Sequence, residues 1–158
     1  MVAALNPKGI SGIADLKRGD VRFVNRQRGS GTRLEVDQWL QQERIAPVTV
    51  AGYDNVETTH LAVAAAIASG TADAGVGIQA AAAQFGLNFM PLAQEQYYLV
   101  CLKETLKLPA VVRLRELLQR GDWKEAMRSL PGHDTTAAGE VVALRAAMPW
   151  YAFRKPES

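Results

Sequence analysis

Short apolar stretches alternate with amphipathic ones along the first two thirds of the chain, and glycine, proline or charged turns punctuate them. Ser11 stands where an N-cap would, ahead of a short helix through Ile13-Ala14-Asp15-Leu16-Lys17 that Arg18-Gly19-Asp20 ends. Val21 to Asn25 alternates as a strand. Leu34, Val36, Trp39 and Leu40 then mark one helical face running to about Arg44, with Pro47 closing the turn. Val48-Thr49-Val50 is the next expected strand. Thr59 caps a helix carrying Leu61, Ala62, Ala65, Ala66 and Ala68, which Ser69-Gly70 stops.

Ala72 to Gly77 is expected as a short buried strand leading into an alanine-rich helix, Gln79 to Phe85, with Gly86 at its end. Asn88 to Leu92 and Gln96 to Leu102 read as two more strands on their β-branched and aromatic content. From Pro109 the pattern turns helical: Val111, Val112, Leu114, Leu117 and Leu118, a stop at Gly121, then Trp123, Ala126, Met127 and Leu130. Gly132 to Gly139 is a loop, and the pattern leaves Glu140 to Met148 open between helix and strand. The alternation predicts an α/β fold with a largely parallel sheet. The alanine runs suit helices that lie close on such a sheet.

Composition changes this picture little. The 158 residues are 48% hydrophobic and 22% charged with net charge +2, a globular balance that describes neither a nucleic-acid arm nor a disordered tail. Cys101 is the only cysteine, which excludes disulfide frameworks and cysteine zinc clusters, and its apolar neighbours place it in the core. The start, MVAALNPKGI, lacks the basic region and apolar stretch of a secretory signal. No window reaches the roughly 20 apolar residues of a membrane span. The expectation is a soluble, cytoplasmic protein without direct nucleic-acid binding; the Arg113, Arg115 and Arg120 group, mixed with Glu116, is an ordinary wet helix face.

Charge distribution is more telling. Val21 to Leu34 holds Arg22, Arg26, Arg28 and Arg33 and no acid, whereas Ile45 to Leu102 contains no Lys or Arg. The cluster surrounds a strand, a glycine loop and a helix start, RQRGSGTRL. A helix N-terminus leaves backbone N–H groups without intrahelical partners and carries about half a positive charge, so it is an anion seat. Gly29 and Gly31 let the backbone turn and an anion approach, Ser30 and Thr32 offer hydroxyls, and Arg26 offers a two-pronged guanidinium. Arg28 and Arg33 raise the potential from the surface. Simple capping by Ser30 is the plain alternative, but it explains neither the paired glycines nor the clustering.

Catalytic motifs fit worse. The Walker phosphate loop of nucleoside triphosphatases needs a Lys after its last glycine, a nucleophile elbow needs Gly-x-Ser-x-Gly, and the dinucleotide fingerprint is absent. With His60 and His133 the only histidines, neither a triad nor a metal site has supporting spacing. Thr59 and His60 follow a loop at a strand end, where open α/β sheets bind ligands, and join the site as second donors to the anion. Plain capping competes for Thr59 and a solvated helix start for His60. Tyr53 stays ambiguous. Asp73 is structural, bonding backbone near a hinge, and Gly75 and Gly77 permit close backbone approach.

NRQRGSGTR from Asn25, ETTHLAVAAAIASGTADAGVGIQAAA from Glu57, GLNFMPLAQEQYYLV from Gly86 and LPGHD from Leu130 closely resemble, in order, a known domain. It is the periplasmic-binding-protein-like domain found fused to molybdopterin-biosynthesis enzymes and to molybdate-responsive helix-turn-helix regulators. The resemblance implies a type II solute-binding architecture, two α/β lobes around a ligand. It also implies a non-catalytic role without a cofactor, the ligand being an oxyanion: molybdate, tungstate, sulfate or phosphate. Phosphate-binding relatives grip their anion with an Arg-x-x-x-Ser-Gly-Thr step, which Arg26, Ser30, Gly31 and Thr32 match. The ligand set is thus Arg26, Ser30, Gly31, Thr32, Arg33, Thr59 and His60.

One departure stands out: the resemblance begins at the first crossover between lobes. Residues 1–10 would be that crossover, 11–92 the second lobe with the anion loop, and 93–158 the return to a first lobe lacking its opening part. The expectation is therefore a homo-oligomer or a fused or upstream domain that completes the fold. Two other functions stay open: the effector domain of a transcription regulator recognising a small organic acid, and an auxiliary domain of a molybdopterin-biosynthesis enzyme.

Overall fold

The computed structural model describes residues 1–152 and divides the chain into two compact units, Met1–Gln96 and Tyr97–Ser158. The first unit alternates strand and helix: β1 (Phe23–Arg26), α1 (Gly31–Gln42), β2 (Val56–Glu57), α2 (His60–Ala68), β3 (Ala74–Gly75) and α3 (Gln79–Gln84). The strands form a parallel sheet in the order β2-β1-β3, with Arg26 opposite Glu57 and Val24 opposite Gly75. Beyond β3 the chain start adds an antiparallel edge: Val2 bridges both Ala74 and Asn88, and the Gly75 amide donates to Met1 O at 3.0 Å.

Side-chain alternation explains why β1 is central. Val21 and Phe23 enter a core with Val36 and Leu40 of α1, while Val24 enters another with Val63, Ala64 and Ile67 of α2 and Ala81 and Ala82 of α3. Successive strand residues point to opposite faces, so β1 has helices on both sides. α2 lies close on the sheet where β3 has a glycine, since a Cβ on Gly75 would lie 2.5 Å from Val63 Cγ1. Thr59 caps α2 by accepting from the Ala62 amide at 3.0 Å, and Gly70 and Gly86 turn the chain after α2 and α3 with φ of 76° and 63°.

Several expected elements differ. Val48 to Val50 is not a strand: Pro47–Thr49 forms a 3-10 turn, started by the proline and closed by the Thr49 hydroxyl donating to Ala46 O at 2.7 Å. β1 begins at Phe23 rather than Val21, whose amide is spent in a turn on Arg18 O at 3.1 Å. Asn88 to Leu92 reduces to the single Asn88 bridge. Ser11 does not cap Ile13–Lys17 by accepting; instead its amide and hydroxyl donate to the Asp15 carboxylate at 2.7 and 2.8 Å.

At the opposite end of the strands from the arginine loop, Asp73 joins β1, β3 and the N-terminal segment. It accepts from the Arg22 amide at 2.8 Å, from the Arg22 guanidinium at 3.0 Å through both oxygens, and from Lys8 at 2.9 Å. These bonds, led by that to the Arg22 side chain, hold its carboxyl well below the usual carboxylate range. A folded-state pKa below the unfolded value of about 3.9 makes the stabilisation complete above that value and erodes it as pH falls toward the folded one. Asp73→Ala should cost about 2 kcal/mol at pH 7. Urea midpoints should show the gap to the parent intact at pH 5 and narrowing below about pH 4.

The second unit is helical in its described residues: a 3-10 turn at Glu104–Lys107, then α4 (Pro109–Gln119), α5 (Gly121–Arg128) and α6 (Leu144–Ala147). Pro109 occupies the first turn of α4, where a missing N–H is harmless. Gly121 does not merely stop a helix, since α5 starts on it directly after Arg120. Glu140 to Met148 resolves as the short α6. The strand expected over Gln96 to Leu102 is absent, because no described strand pairs with it, and Tyr97, Leu99, Val100 and Leu102 are exposed. Cys101 is exposed with them and is not a core residue.

Candidate functional site

Three parallel strands that each run into a helix place the starts of α1, α2 and α3 at one edge of the sheet, the carboxyl ends of its strands. The link from β1 to α1 is four residues long, Gln27 to Ser30, and Gly29 makes it possible by taking φ of 85°. Ser30 then caps α1. Its hydroxyl accepts from the Arg33 amide at 3.2 Å and donates to Gln27 O at 3.0 Å. The Gly31 and Thr32 amides are the first-turn donors that no described acceptor satisfies. A Cβ on Gly31 would meet nothing within 4 Å, so the space before this turn is open, while Thr32 is buried.

Arg26 leaves the end of β1 and turns to the start of α2. One guanidinium nitrogen donates to Thr58 O at 3.0 Å and the other lies 2.9 Å from His60 Nδ1. Its Nε is buried with no acceptor among the described residues. Burial, and then the positive charge of Arg26, lowers the pKa of His60, against a smaller opposing pull from Glu95. Gly77 closes the group from the end of β3: a Cβ there would fall 3.2 Å from His60 Nδ1. The structure therefore brings Arg26, Thr58, Thr59, His60 and Gly77 together. Ser30, Gly31 and Thr32 lie on the neighbouring helix start, while the Arg26 side chain bonds to His60 and Thr58 instead.

Arg33 differs from its expected place at the surface. Its side chain is 5% exposed; it donates to Asp37 Oδ1 and to Arg26 O, both at 3.3 Å, and stacks on Tyr53 at 4.0 Å. Tyr53 donates to Asp37 Oδ1 at 2.6 Å, and desolvation foremost raises its pKa. A planar guanidinium stacked on an aromatic ring and bonded to Asp37 and to the Arg26 carbonyl holds the β1–α1 link in place. Sequence reading left Tyr53 undecided and missed Asp37, although the Arg33–Asp37 spacing of one helical turn signals it. The Thr58 carbonyl leaves no side-chain signal at all. Beside this stack, Arg28, Gly29, Arg33, Leu34, Asp37 and Tyr53 line an open cleft of about 320 Å³.

Among the described residues no three His, Cys, Asp or Glu side chains gather as a metal site, and no helix is long and apolar enough to cross a membrane. A short parallel sheet whose strand ends carry capped helix starts and a tethered arginine belongs to a ligand-binding class of fold, and the chain is a member of one such family. A model of the PBP superfamily domain, periplasmic-binding-protein-like, matches residues 1–119, so the chain belongs to that superfamily.

Two relatives extend the comparison. The chain is 42% identical over 137 residues to uncharacterized protein YvgK of Bacillus subtilis (strain 168), covering 87% of this chain and 44% of that protein. It is 31% identical over 108 residues to an uncharacterized protein in the ferredoxin 2Fe-2S gene 5' region of Clostridium pasteurianum, covering 68% of this chain and 96% of that one. The chain thus spans less than half the length of the Bacillus relative. No solved structure matches.

Proposed function

We propose that the first unit binds a small tetrahedral oxyanion of the molybdate or tungstate kind, as a sensor or carrier domain linked to molybdenum-cofactor metabolism. The observation that carries this is the pair of helix starts, α1 and α2, set on adjacent parallel strands with Arg26 held between strand end and helix start by His60 and Thr58. Each start contributes about half a positive charge and free or cap-directed donors. Among the described residues Arg26 uses two of its five N–H donors; its Nε–H is buried, so the two remaining terminal N–H groups are left for an anion. The binding role agrees with membership of the superfamily. Titration calorimetry with molybdate, tungstate, sulfate and phosphate tests it: heat with at least one is expected, and silence from all four at millimolar concentration would sink it.

A second reading, a small organic acid recognised by a regulator's effector domain, draws on the cleft beside the Arg33–Tyr53 stack. Leu34 is 59% exposed there, next to Arg28, so an apolar body and a carboxylate would both find a wall. Calorimetry with small carboxylates alongside the four anions separates the two. For assembly we propose a homo-oligomer or a fused domain, because Leu99, Val100, Leu114, Leu117 and Leu144 stay exposed and no hydrophobic side chain of the second unit's described residues is buried. Light scattering of the purified chain should show a mass above the monomer; a soluble monomer at high concentration would contradict the oligomer.

A further inference from the structure

Arg26 and His60 stand 34 residues apart in sequence and 2.9 Å apart in space, through a guanidinium nitrogen and Nδ1. A guanidinium has donors only, so Nδ1 must accept, and His60 in this arrangement is the neutral ring with its proton on Nε2. That role reverses if an oxyanion reaches the pair. An anion oxygen bound to Arg26 offers Nδ1 an acceptor where it now faces a cation, and the buried Arg26 Nε, with no acceptor of its own among the described residues, marks the same place as short of negative charge. We propose that oxyanion binding at Arg26 is coupled to protonation of His60, close to one proton moving from solvent onto Nδ1 for each anion bound. This rests on the oxyanion reading and adds its regulation.

The surroundings permit the switch. Arg26 on β1 opposes a charged ring, and a bound dianion would offset that opposition. Glu95, in the segment after Leu92, already favours the charged ring, and Glu57 on β2 lies in register with Arg26. Met1, from the chain start, meets the same Gly77 position as His60 through its uncharged thioether. Its buried N-terminal amine, which donates to Gly75 O at 2.8 Å and whose pKa burial lowers to about 6, is the other titratable group here, so the His60→Asn comparison below is what assigns the proton to His60. Neither α2 nor α3 holds another titratable side chain. Burial and Arg26 together lower the His60 pKa in the free chain, so the ring is neutral at pH 7 and has a proton to gain.

Calorimetric titration of the full chain with molybdate and with sulfate, both fully deprotonated at pH 7, in buffers of different ionisation enthalpy, counts the protons. An uptake approaching one per anion is expected, with affinity weakening by up to about tenfold per pH unit from pH 6 to pH 8. His60→Asn, whose side-chain oxygen still accepts from Arg26, should bind with no proton uptake and a flat pH profile. Should that variant not fold, nitrogen NMR of the parent's two histidines, His60 and His133, gives the same answer: His60 should change from one pyridine-type nitrogen to imidazolium on adding anion. Binding without proton uptake, or a mere exchange of tautomers, overturns this proposal and leaves the oxyanion reading standing. No binding by either anion at any pH overturns both.

Discussion

Replacing Gly52 by alanine should unfold much of the first unit at temperatures the parent tolerates. Gly52 takes φ of 86°, a conformation that strains any residue with a Cβ, and the added Cβ would overlap the Phe23 carbonyl oxygen and press on Asn55 Nδ2 at 3.2 Å. The obstruction is backbone of the central strand, which cannot swing aside like a side chain. Relief would have to break the bonds that hold this loop on β1, from the Phe23 amide to Ala51 O and from the Asn25 amide to Asn55 O, both 2.8 Å. Left-handed strain of about 1–2 kcal/mol and overpacking of about 1–3 kcal/mol add to a large fraction of a typical domain's stability of about 5–15 kcal/mol. Thermal denaturation by circular dichroism should show a midpoint lower by about 10 °C or more. A shift within a degree or two would mean that the loop can slide off β1 cheaply.

Arg26→Ala should weaken oxyanion binding by about 10- to 100-fold, the loss of one or two hydrogen bonds to a charged group at about 1.5–3 kcal/mol each. The variant also frees Thr58 O and His60 Nδ1 of their donor, but both lie at a helix start within reach of water, so the fold should persist. Arg28→Ala is the control: Arg28 is exposed, its effect should be small, and it should fade with added salt while the Arg26 effect remains. Arg33 cannot serve as a second control because its side chain is buried against Tyr53, and removing it would loosen the loop itself. The titration that detects the parent's ligand measures all of these. An Arg26→Ala variant binding like the parent would remove Arg26 from the site.

The helices of the first unit were legible because their signals are local. Ser30 and Thr59 precede apolar-periodic runs and do cap α1 and α2, and Gly70 and Gly86 do end α2 and α3 in left-handed turns. The strands were less so. β2 is two residues long, Val56 and Glu57, and exists through backbone pairing with β1, which no side-chain pattern announces. Gln96 to Leu102 has the composition of a strand, yet composition cannot supply a sheet partner: the run forms no strand, and Cys101 within it is exposed.

The same division runs through the site. Nine consecutive residues, RQRGSGTRL, announce the end of a strand, a glycine turn and a helix start. Beside the local Arg33–Asp37 pair, two contacts that hold these cations join distant positions: Arg26 with His60, and Arg33 with Tyr53. Spacing carries no trace of them. An arginine cluster read from sequence as one patch is, in the fold, one tethered cation, one buried structural cation and one exposed at the surface, plus Arg22 paired with Asp73 at the other end of β1.

Two helix starts sharing one sheet edge repel each other, and Arg26 adds a full charge to the same edge. Binding of the proposed anion at this edge would relieve that repulsion. Any small anion accepted there acts as a folding agent. At a concentration one hundred times its dissociation constant it would add about 2.7 kcal/mol to the stability of the folded chain. The composition of the surrounding solution, down to the choice between a sulfate and a chloride salt, would thus enter the folding equilibrium of this protein as directly as a mutation does.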